Sequence, residues 1–305
     1  MGPMNTHVPH TTEPHGAQHY LLATRYNRSA LVAHLVLAGI VCAALLAPLV
    51  RGPALAQRLS VSLDPPALFS ASSQSGALLG TDSLGRDLGA RLLLATRVSL
   101  AVGGLAVAVA CVVGTVLGLL CGYLMGWFDN LVMRVVDALL SLPFVVLAIA
   151  IVAAIGPGLV NVAMVLGLTG WITFAKLVRG EVLRIRQQPF VEAARCVGCS
   201  HLRILFLHIA PHVLGIVLVG ITLTFGQMII AEATLSFLGL GIPPPTPTLG
   251  GILAGAQETF FAAWWLVAFP GVILMAIVLS VNVVGDWLRD YFDPHVPIPV
   301  VRRER

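Results

Sequence analysis

The stretch VEAARCVGCSHLRILFLHIAP, residues 191–211, is a conspicuously polar segment between two long apolar runs. It holds a carboxylate, two arginines and two histidines, in a chain of which only 10% of residues are charged. A polar segment in so apolar a chain is expected to lie in water and to meet a partner there.

Two short helices are predicted in and around this stretch. Pro189 suits the first position of a helix over 189–197, because its missing N–H would be unbonded there in any residue. Gly198 should end that helix, since glycine tolerates a left-handed cap. Ser200 is a good N-cap for a second helix over 201–209, which would lead into the next apolar run.

The first of these helices has features of a docking surface. Ala193 and Ala194 have small side chains, so a partner could seat close to the helix backbone. Glu192 near the helix start complements the helix dipole and can pair with a basic group. An ordinary solvated connection between two membrane helices is the alternative interpretation.

The composition places the chain in a membrane. Of its 305 residues 57% are hydrophobic, and the mean hydropathy is +0.91. Soluble domains are about 45–50% apolar and about 25% charged, so this chain has too few polar residues to cover a soluble core. The net charge of +4 therefore indicates membrane topology rather than nucleic-acid binding.

Six apolar runs are long enough to cross a bilayer at 1.5 Å per residue. The predicted spans are residues 29–50, 98–122, 133–155, 159–178, 211–231 and 266–285. Thirteen basic residues fall on the side of the termini and five on the other side. The positive-inside rule therefore predicts that both termini and the 191–211 stretch are cytoplasmic.

Details within these runs give further expectations. Residues 87–97 place leucines at helical spacing beside arginines, which predicts an amphipathic helix lying on the membrane surface. A loop is predicted over 123–131, and Lys176 is expected at the end of the fourth span, where it can snorkel. Pro143 is expected to kink the third span.

The second span carries a glycine at every fourth position. Gly114, Gly118 and Gly122 give one helix face without side chains, which predicts close approach of another helix.

The spans also divide the chain. The predicted parts are a disordered cytoplasmic tail (1–28), a first span with its following segment (29–97), a core of five spans (98–288, with the polar loop at 179–210) and a cytoplasmic tail (289–305). The first tail holds four histidines. A metal-collecting role is therefore kept beside simple disorder.

Charged residues inside apolar runs are candidates for function. Glu232 and Asp137 are candidate translocation-pathway residues, with a structural cap as the alternative for Glu232. Asp286, Arg289 and Asp290 share one helical face, which favours an internal ion pair.

The pair Cys196 and Cys199 forms a C-x-x-C. It is compatible with a redox pair or half of a metal site. Two reduced thiols are favoured, because no second C-x-x-C follows.

The polar stretch resembles the EAA loop of importer permeases in the ABC (ATP-binding cassette) superfamily. Glu192-Ala193-Ala194, then Gly198 and Pro211, carry the match, and Arg195 lies in the same helix. Two positions before the proline depart from the family pattern, because His208 and Ala210 stand where aliphatic residues are usual.

Further blocks resemble the C-type subunit of dipeptide and oligopeptide permeases, from about residue 29 to 294. They include LGTD at 79–82 with GRD at 85–87, LSFLG at 235–239 and FPG at 269–271. Each block is weak alone, but their order and spacing together are specific. Leu249 departs from the pattern, since relatives commonly have tryptophan there.

This resemblance implies an all-α fold of the type I ABC importer class, with six transmembrane helices and a cytoplasmic coupling helix. It implies a bacterial inner-membrane protein that pairs with a related permease subunit, two ATPases and an extracytoplasmic solute-binding protein. No cofactor is implied on this chain, because ATP and magnesium would bind the ATPases, whether these are two chains or one fused chain. The implied cargo is a di- or oligopeptide, with nickel, a metal chelate or glutathione as alternatives.

Other classes of function are disfavoured by the residues. The sequence has no H-E-x-x-H or G-x-S-x-G motif of a membrane enzyme. An ion-coupled secondary transporter would need midplane charge and inverted repeats, and neither is apparent. Lys176 follows Ala175 instead of the glycine of a P-loop, so this chain should not bind nucleotide that way.

Overall fold

The computed structural model describes residues 28–70 and 72–292, which are helical apart from connecting loops and one bridge between Thr81 and Asp87. The helices are α1 (Arg28–Leu46), α2 (Arg51–Leu55), α3 (Leu88–Leu124), α4 (Gly126–Leu140), α5 (Phe144–Ile155), α6 (Leu159–Ile185), α7 (Pro189–Cys196), α8 (His201–Arg203), α9 (Ala210–Phe237), α10 (Leu249–Gly255) and α11 (Trp265–Phe292). The predicted histidine-rich tail and most of the predicted C-terminal tail lie outside the described residues.

Within the described residues, five helical stretches are long and apolar enough to cross a membrane. They are Arg28–Val50, Leu88–Leu124, Leu159–Ile185, His201–Phe237 and Trp265–Tyr291. The pair α4–α5 is bent by 90° and makes a sixth crossing if it is counted as one span. The all-helical membrane architecture is therefore confirmed, but the kink expected at Pro143 is a complete break. Proline has no N–H to continue a helix and disfavours the α conformation in the residue before it.

The surface helix predicted over 87–97 is wrong, because α3 runs unbroken from Leu88 to Leu124. The Asp87 carboxylate caps its start by accepting a hydrogen bond from the Ala90 N–H at 2.9 Å. Nothing in the following residues interrupts the helix, so its first turns and the membrane span form one rod.

Other helices are longer than predicted. The loop expected over 123–131 is reduced to Met125, and Lys176 lies inside α6, which continues to Ile185. Hydropathy ends a helix at its first charges, whereas in the folded chain Arg179 of α6 is paired with a carboxylate of α4. The charged ends of these helices are therefore stabilised by tertiary contacts.

The glycine stripe of α3 packs directly on the backbone of α6, as predicted. A Cβ atom at Gly114 would lie 2.3 Å from the Trp171 carbonyl oxygen, and one at Gly118 would lie 2.8 Å from the Ala175 carbonyl oxygen. The interface of α3 with α6 is the most extensive in the bundle. Close backbone contact is the way in which small residues bring membrane helices together.

The LGTD and GRD blocks form a compact hydrogen-bonded turn at the start of α3. The Asp82 carboxylate accepts hydrogen bonds from the Leu84 and Arg86 N–H groups at 2.9 Å and from Arg86 Nε at 2.7 Å. Trp265 Nε1 donates to the Thr81 carbonyl oxygen at 3.2 Å. This turn therefore joins the beginning of α3 to the beginning of α11.

A second buried carboxylate, Asp64, organises the loop before this turn. It accepts hydrogen bonds from the Ser73 hydroxyl at 2.9 Å and from the Ser75 and Gln74 N–H groups at 2.7 and 3.2 Å. Burial acts to raise the pKa of the Asp64 carboxyl, but hydrogen bonds from Ser75, Gln74 and Ser73 outweigh it and lower that pKa to about 2. The ionised carboxylate is thus the form that the loop is built around.

We expect Gly114→Ala to destabilise the protein, because the added methyl group would overlap the Trp171 carbonyl. Overpacking of this kind costs about 1–3 kcal/mol. The thermal midpoint of the purified complex in detergent measures the change. Gly104→Ala in the same helix is the matched control, since its nearest neighbour outside α3 lies 4.0 Å away. Equal midpoints for the two variants would contradict direct α3–α6 backbone packing.

The Asp64 loop should resist mild acid. Because the folded pKa is depressed, the carboxylate stabilises the loop above its unfolded pKa of about 3.9, and this contribution is lost only as the pH falls toward about 2. Hydrogen-exchange protection of the Gln74 and Ser75 amides should therefore persist at about pH 4. In Asp64→Asn that protection should be weak at neutral pH as well. Loss of protection in the unmodified protein already near pH 5 would refute this account.

Candidate coupling site and the contacts that anchor it

The helix α7 has the predicted start and stop. Pro189 occupies its first turn, and Gly198 follows its end with a φ of +80°. The Cys199 N–H donates to the Ala194 carbonyl oxygen at 3.0 Å, and the Gly198 N–H donates to the Arg195 carbonyl oxygen at 2.9 Å. This pair of bonds is a Schellman motif, which needs a left-handed residue and so favours glycine.

One face of α7 is anchored in the bundle and the other is free. Val191 and Ala194 are buried, whereas Glu192, Ala193 and Arg195 are exposed. The expectation that Ala194 faces a partner is therefore corrected, because it shares the inward face with Val191 at helical spacing. Ala193 is the small residue on the exposed face, so a partner could approach the helix backbone there.

The second helix also begins as predicted. The Ser200 hydroxyl accepts a hydrogen bond from the Arg203 N–H at 3.4 Å. The chain then passes through a wide π-helical turn, Ile204–Ile209, into α9. Such a turn suits Pro211, whose ring would crowd the carbonyl of Leu207 in a regular helix. The polar segment is thus joined to a membrane helix without a loop.

The base of the segment is bound to the end of α3. Arg186 Nη1 donates to the Gly122 and Tyr123 carbonyl oxygens at 3.2 and 3.3 Å, and Tyr123 Oη lies 2.8 Å from His201 Nδ1. A basic side chain commonly satisfies the free carbonyls at a helix end. The sequence analysis missed these contacts, because they join residues that are 63 to 78 positions apart.

Two more contacts brace the same end of the bundle. Phe190 stacks on His212 with ring centroids 5.1 Å apart, so α7 also touches the first turn of α9. Arg179 donates two hydrogen bonds of 2.6 Å to the buried Asp129 carboxylate, which joins α6 to α4. Asp129 was assigned to a loop in the sequence, so this pairing was not foreseen.

The two candidate pathway residues lie in very different surroundings. Asp137 is exposed and faces Lys176, with 3.5 Å between Oδ1 and Nζ. Glu232 is 0% exposed, and it accepts hydrogen bonds from the Ser99 and Ser236 hydroxyls at 2.8 and 2.7 Å. Because Glu232 is enclosed by this chain alone, its geometry favours joining α9 to α3 over contact with cargo in this conformation.

Two other predictions concern charges and thiols. Among the described residues, no ion pair joins Arg289 to Asp286 or Asp290, so the predicted pairing on α11 is not formed; sharing a helical face does not require the side chains to meet. Cys196 and Cys199 are free thiols in this structure. The part of the chain that the structure covers contains no group of three or more histidine, cysteine or acidic side chains that could hold a metal ion.

The fold defines an integral membrane protein that holds an anchored polar helix between two of its spans. Residues 114–297 match the family described as "Binding-protein-dependent transport system inner membrane component". The chain belongs to this family.

Curated relatives agree with this assignment. A di/tripeptide transport system permease, DppC, of Pseudomonas aeruginosa is 36% identical over 94% of both chains. A putative peptide transport system permease of Brucella suis is 39% identical over 91% of this chain and 90% of its own. A glutathione transport system permease, GsiD, of Pectobacterium atrosepticum is 43% identical over 71% of this chain and 72% of its own.

A solved structure gives the same fold. A chain of the MetNI methionine ABC transporter in inward-facing conformations has a TM-score of 0.57 and 19% identity, with 67% of this chain and 96% of that chain covered. Together these findings make this chain a multi-pass inner-membrane permease subunit of an ABC importer. Membership in the family implies work with an ATPase and a binding protein.

We expect Asp129→Asn to destabilise the permease strongly. Removing one partner of a buried ion pair costs about 3–5 kcal/mol at full burial, and less here because Arg179 is partly exposed. Asp137→Asn removes an exposed pair and should cost about 0–1 kcal/mol. Thermal midpoints of the two purified variants provide the comparison. If the Asp137 variant melts earlier than the Asp129 variant, the bracing role of Asp129 is wrong.

Proposed function

We propose that this chain forms half of the translocation pore of an importer for short peptides, and that α7 is the element on which a cytoplasmic ATPase acts. One observation carries the proposal: α7 presents Glu192, Ala193 and Arg195 to solvent while its opposite face is held in the bundle. A short exposed helix that cannot move independently of the membrane helices is suited to transmit force.

The anchoring contacts supply two routes for that force. The first runs from α7 across the short connection at 197–200 to α8, and from there through the π-helical turn into α9 without a further loop. The second runs through Arg186, Tyr123 and His201 into the end of α3. Closure of an ATPase dimer on ATP binding would displace α7, and both routes would shift spans between inward-facing and outward-facing arrangements. Hydrolysis would reset them.

The proposed assembly has a related permease as the second half of the pore, two ATPase subunits and an extracytoplasmic solute-binding protein. ATP and magnesium would bind the ATPases, and this chain would carry no cofactor. Both termini and α7 would lie in the cytoplasm, in line with the excess of basic residues on that side.

The cargo proposal rests on two relatives that match over most of the chain. Both cover at least 90% of it, and they are named for di/tripeptide and peptide transport. Glutathione is the second candidate, since the relatives named for it are 43–44% identical over a shorter part of the chain. Competition between a labelled dipeptide and glutathione for uptake, with the complex in a strain lacking its own carriers, distinguishes the two.

The route of the cargo is proposed to pass Asp137. This carboxylate and Lys176 are exposed in the isolated chain, and charged groups facing lipid are costly. They would therefore face water in the pore or the partner subunit. Glu232 would act by joining α9 to α3 rather than by contacting the peptide.

We expect Gly198→Ala to uncouple ATP hydrolysis from peptide uptake. Alanine in the left-handed cap costs about 1–2 kcal/mol, which would distort the end of α7 without touching the spans. Glu192→Lys should have a similar effect, because the exposed charge would repel a basic ATPase contact. ATPase rate and uptake are both measured in proteoliposomes with the binding protein present.

Gly180→Ala is the matched control for the glycine variant. Gly180 lies within α6, has no left-handed conformation and has nothing within 4 Å of the added methyl group. It should retain normal coupling. Normal uptake per ATP in both Gly198→Ala and Glu192→Lys would contradict the role of α7.

A further inference from the structure

An apolar groove of about 850 Å³ lies between α1, the loop before α3 and the first turns of α3. The residues that line it and matter here are Val36, Gly39 and Ala43 of α1, Leu78 of the loop, and Leu92 and Leu93 of α3. Asp87 and Thr96 also border the groove, and Asp87 Oδ1 already accepts a hydrogen bond from the Ala90 N–H. The other lining residues are apolar, so the groove offers few contacts to a polar ligand.

Water is a poor occupant of this groove. A water molecule takes up about 30 Å³ of liquid and needs two to four polar partners, and these walls do not supply them. An apolar occupant suits these walls better.

The depth of the groove corresponds to one leaflet of a bilayer. Along α3 its lining extends from Asp87 to Thr96, which is about 13 Å at 1.5 Å per residue. Half of a hydrocarbon core of about 30 Å is about 15 Å. These residues lie at the opposite end of α3 from Tyr123, which contacts the polar segment after α7. The groove is thus in the leaflet remote from α7.

Two leucines at the rim would also be favourable in contact with lipid. Leu68 and Leu78 are 63% and 70% exposed, although they belong to a loop. Exposed leucines next to an apolar groove enlarge the apolar surface that acyl chains could cover.

Most of the groove precedes the segment that the family model matches. Its lining from Val36 to Thr96 precedes residue 114, where that match begins, and only Ile273 falls within it. The span containing α1 is the least buried of the five found in the described residues, with 22% of its most apolar window inside the chain. An apolar helix face that the rest of the chain leaves open is favourable against acyl chains.

From these observations we propose that an acyl chain of a phospholipid, from the leaflet remote from α7, occupies the groove and seals α1 against α3. If α7 is cytoplasmic, as the proposed function requires, this is the outer leaflet. The binding site itself depends only on the chain spanning a membrane.

The test uses the assembled, purified complex in nanodiscs of phosphatidylethanolamine and phosphatidylglycerol. A trace of phosphatidylethanolamine carries a diazirine at the end of one acyl chain. After irradiation, mass spectrometry maps the adducts. In the unmodified protein we expect adducts on the peptides that contain Ala43 and Leu92.

Ala43→Phe fills the groove and should abolish the adducts on α3. Ala38→Phe is the matched control, because Ala38 is exposed on the same helix and does not line the groove. Gly39→Phe is a second filling variant that the fold should accept, since nothing lies within 4 Å of its Cβ position. It should also lose the α3 adducts.

Two results would overturn the proposal. One is equal labelling of α3 in Ala43→Phe, Gly39→Phe and Ala38→Phe. The other is a cross-link between the groove peptides and the partner permease in place of lipid adducts. Failure of the proposed import function would look different, since wild-type uptake would be absent while groove labelling persisted.

Discussion

Direct contact between the backbones of α3 and α6 is the constraint on which the rest of this structure depends. Gly114, Gly118 and Gly122 leave α3 without side chains along this contact, so its backbone packs directly on backbone and Cβ atoms of α6. In a bilayer no hydrophobic driving force holds two apolar helices together, which leaves close packing to do so. Because α3 and α6 are fixed to each other, their ends are fixed as well. The polar segment follows one of those ends.

This arrangement explains why a short helix can be held rigidly in water. Isolated helices as short as α7 are not stable. Here the helix is stabilised by a buried face, by a left-handed glycine at its end, and by contacts from Arg186 and His201 to α3. Contacts with the membrane bundle therefore stabilise the exposed surface, and any force on that surface is transmitted to the bundle. The other end of α3 is also fixed by tertiary contacts, because the turn around Asp82 joins it to α11.

Local signals in the sequence were reliable where the cause is itself local. Pro189, Gly198 and Ser200 act through their own backbone preferences, and each has the predicted place. The close packing at the glycine repeat of α3 could also be predicted from sequence, because an absent side chain permits close approach whichever helix packs there. Helix ends were misjudged where charges appear, as at residues 87–97 and 123–131. Hydropathy treats a charge as an exit from the membrane, whereas Asp129 and Arg179 neutralise each other between two helices.

The sequence by itself determined that this chain is a helical membrane protein, where most of its spans lie, and that a capped helix with an exposed acidic residue joins two of them. Composition, periodicity and capping are properties of neighbouring residues, so they can be read without a fold. Only the tertiary structure decided that Ala194 faces inward, that Glu232 is enclosed by Ser99 and Ser236, and that an apolar groove opens beside α1. These features depend on which helices meet and at what rotation, and that is fixed by packing between residues far apart in the chain.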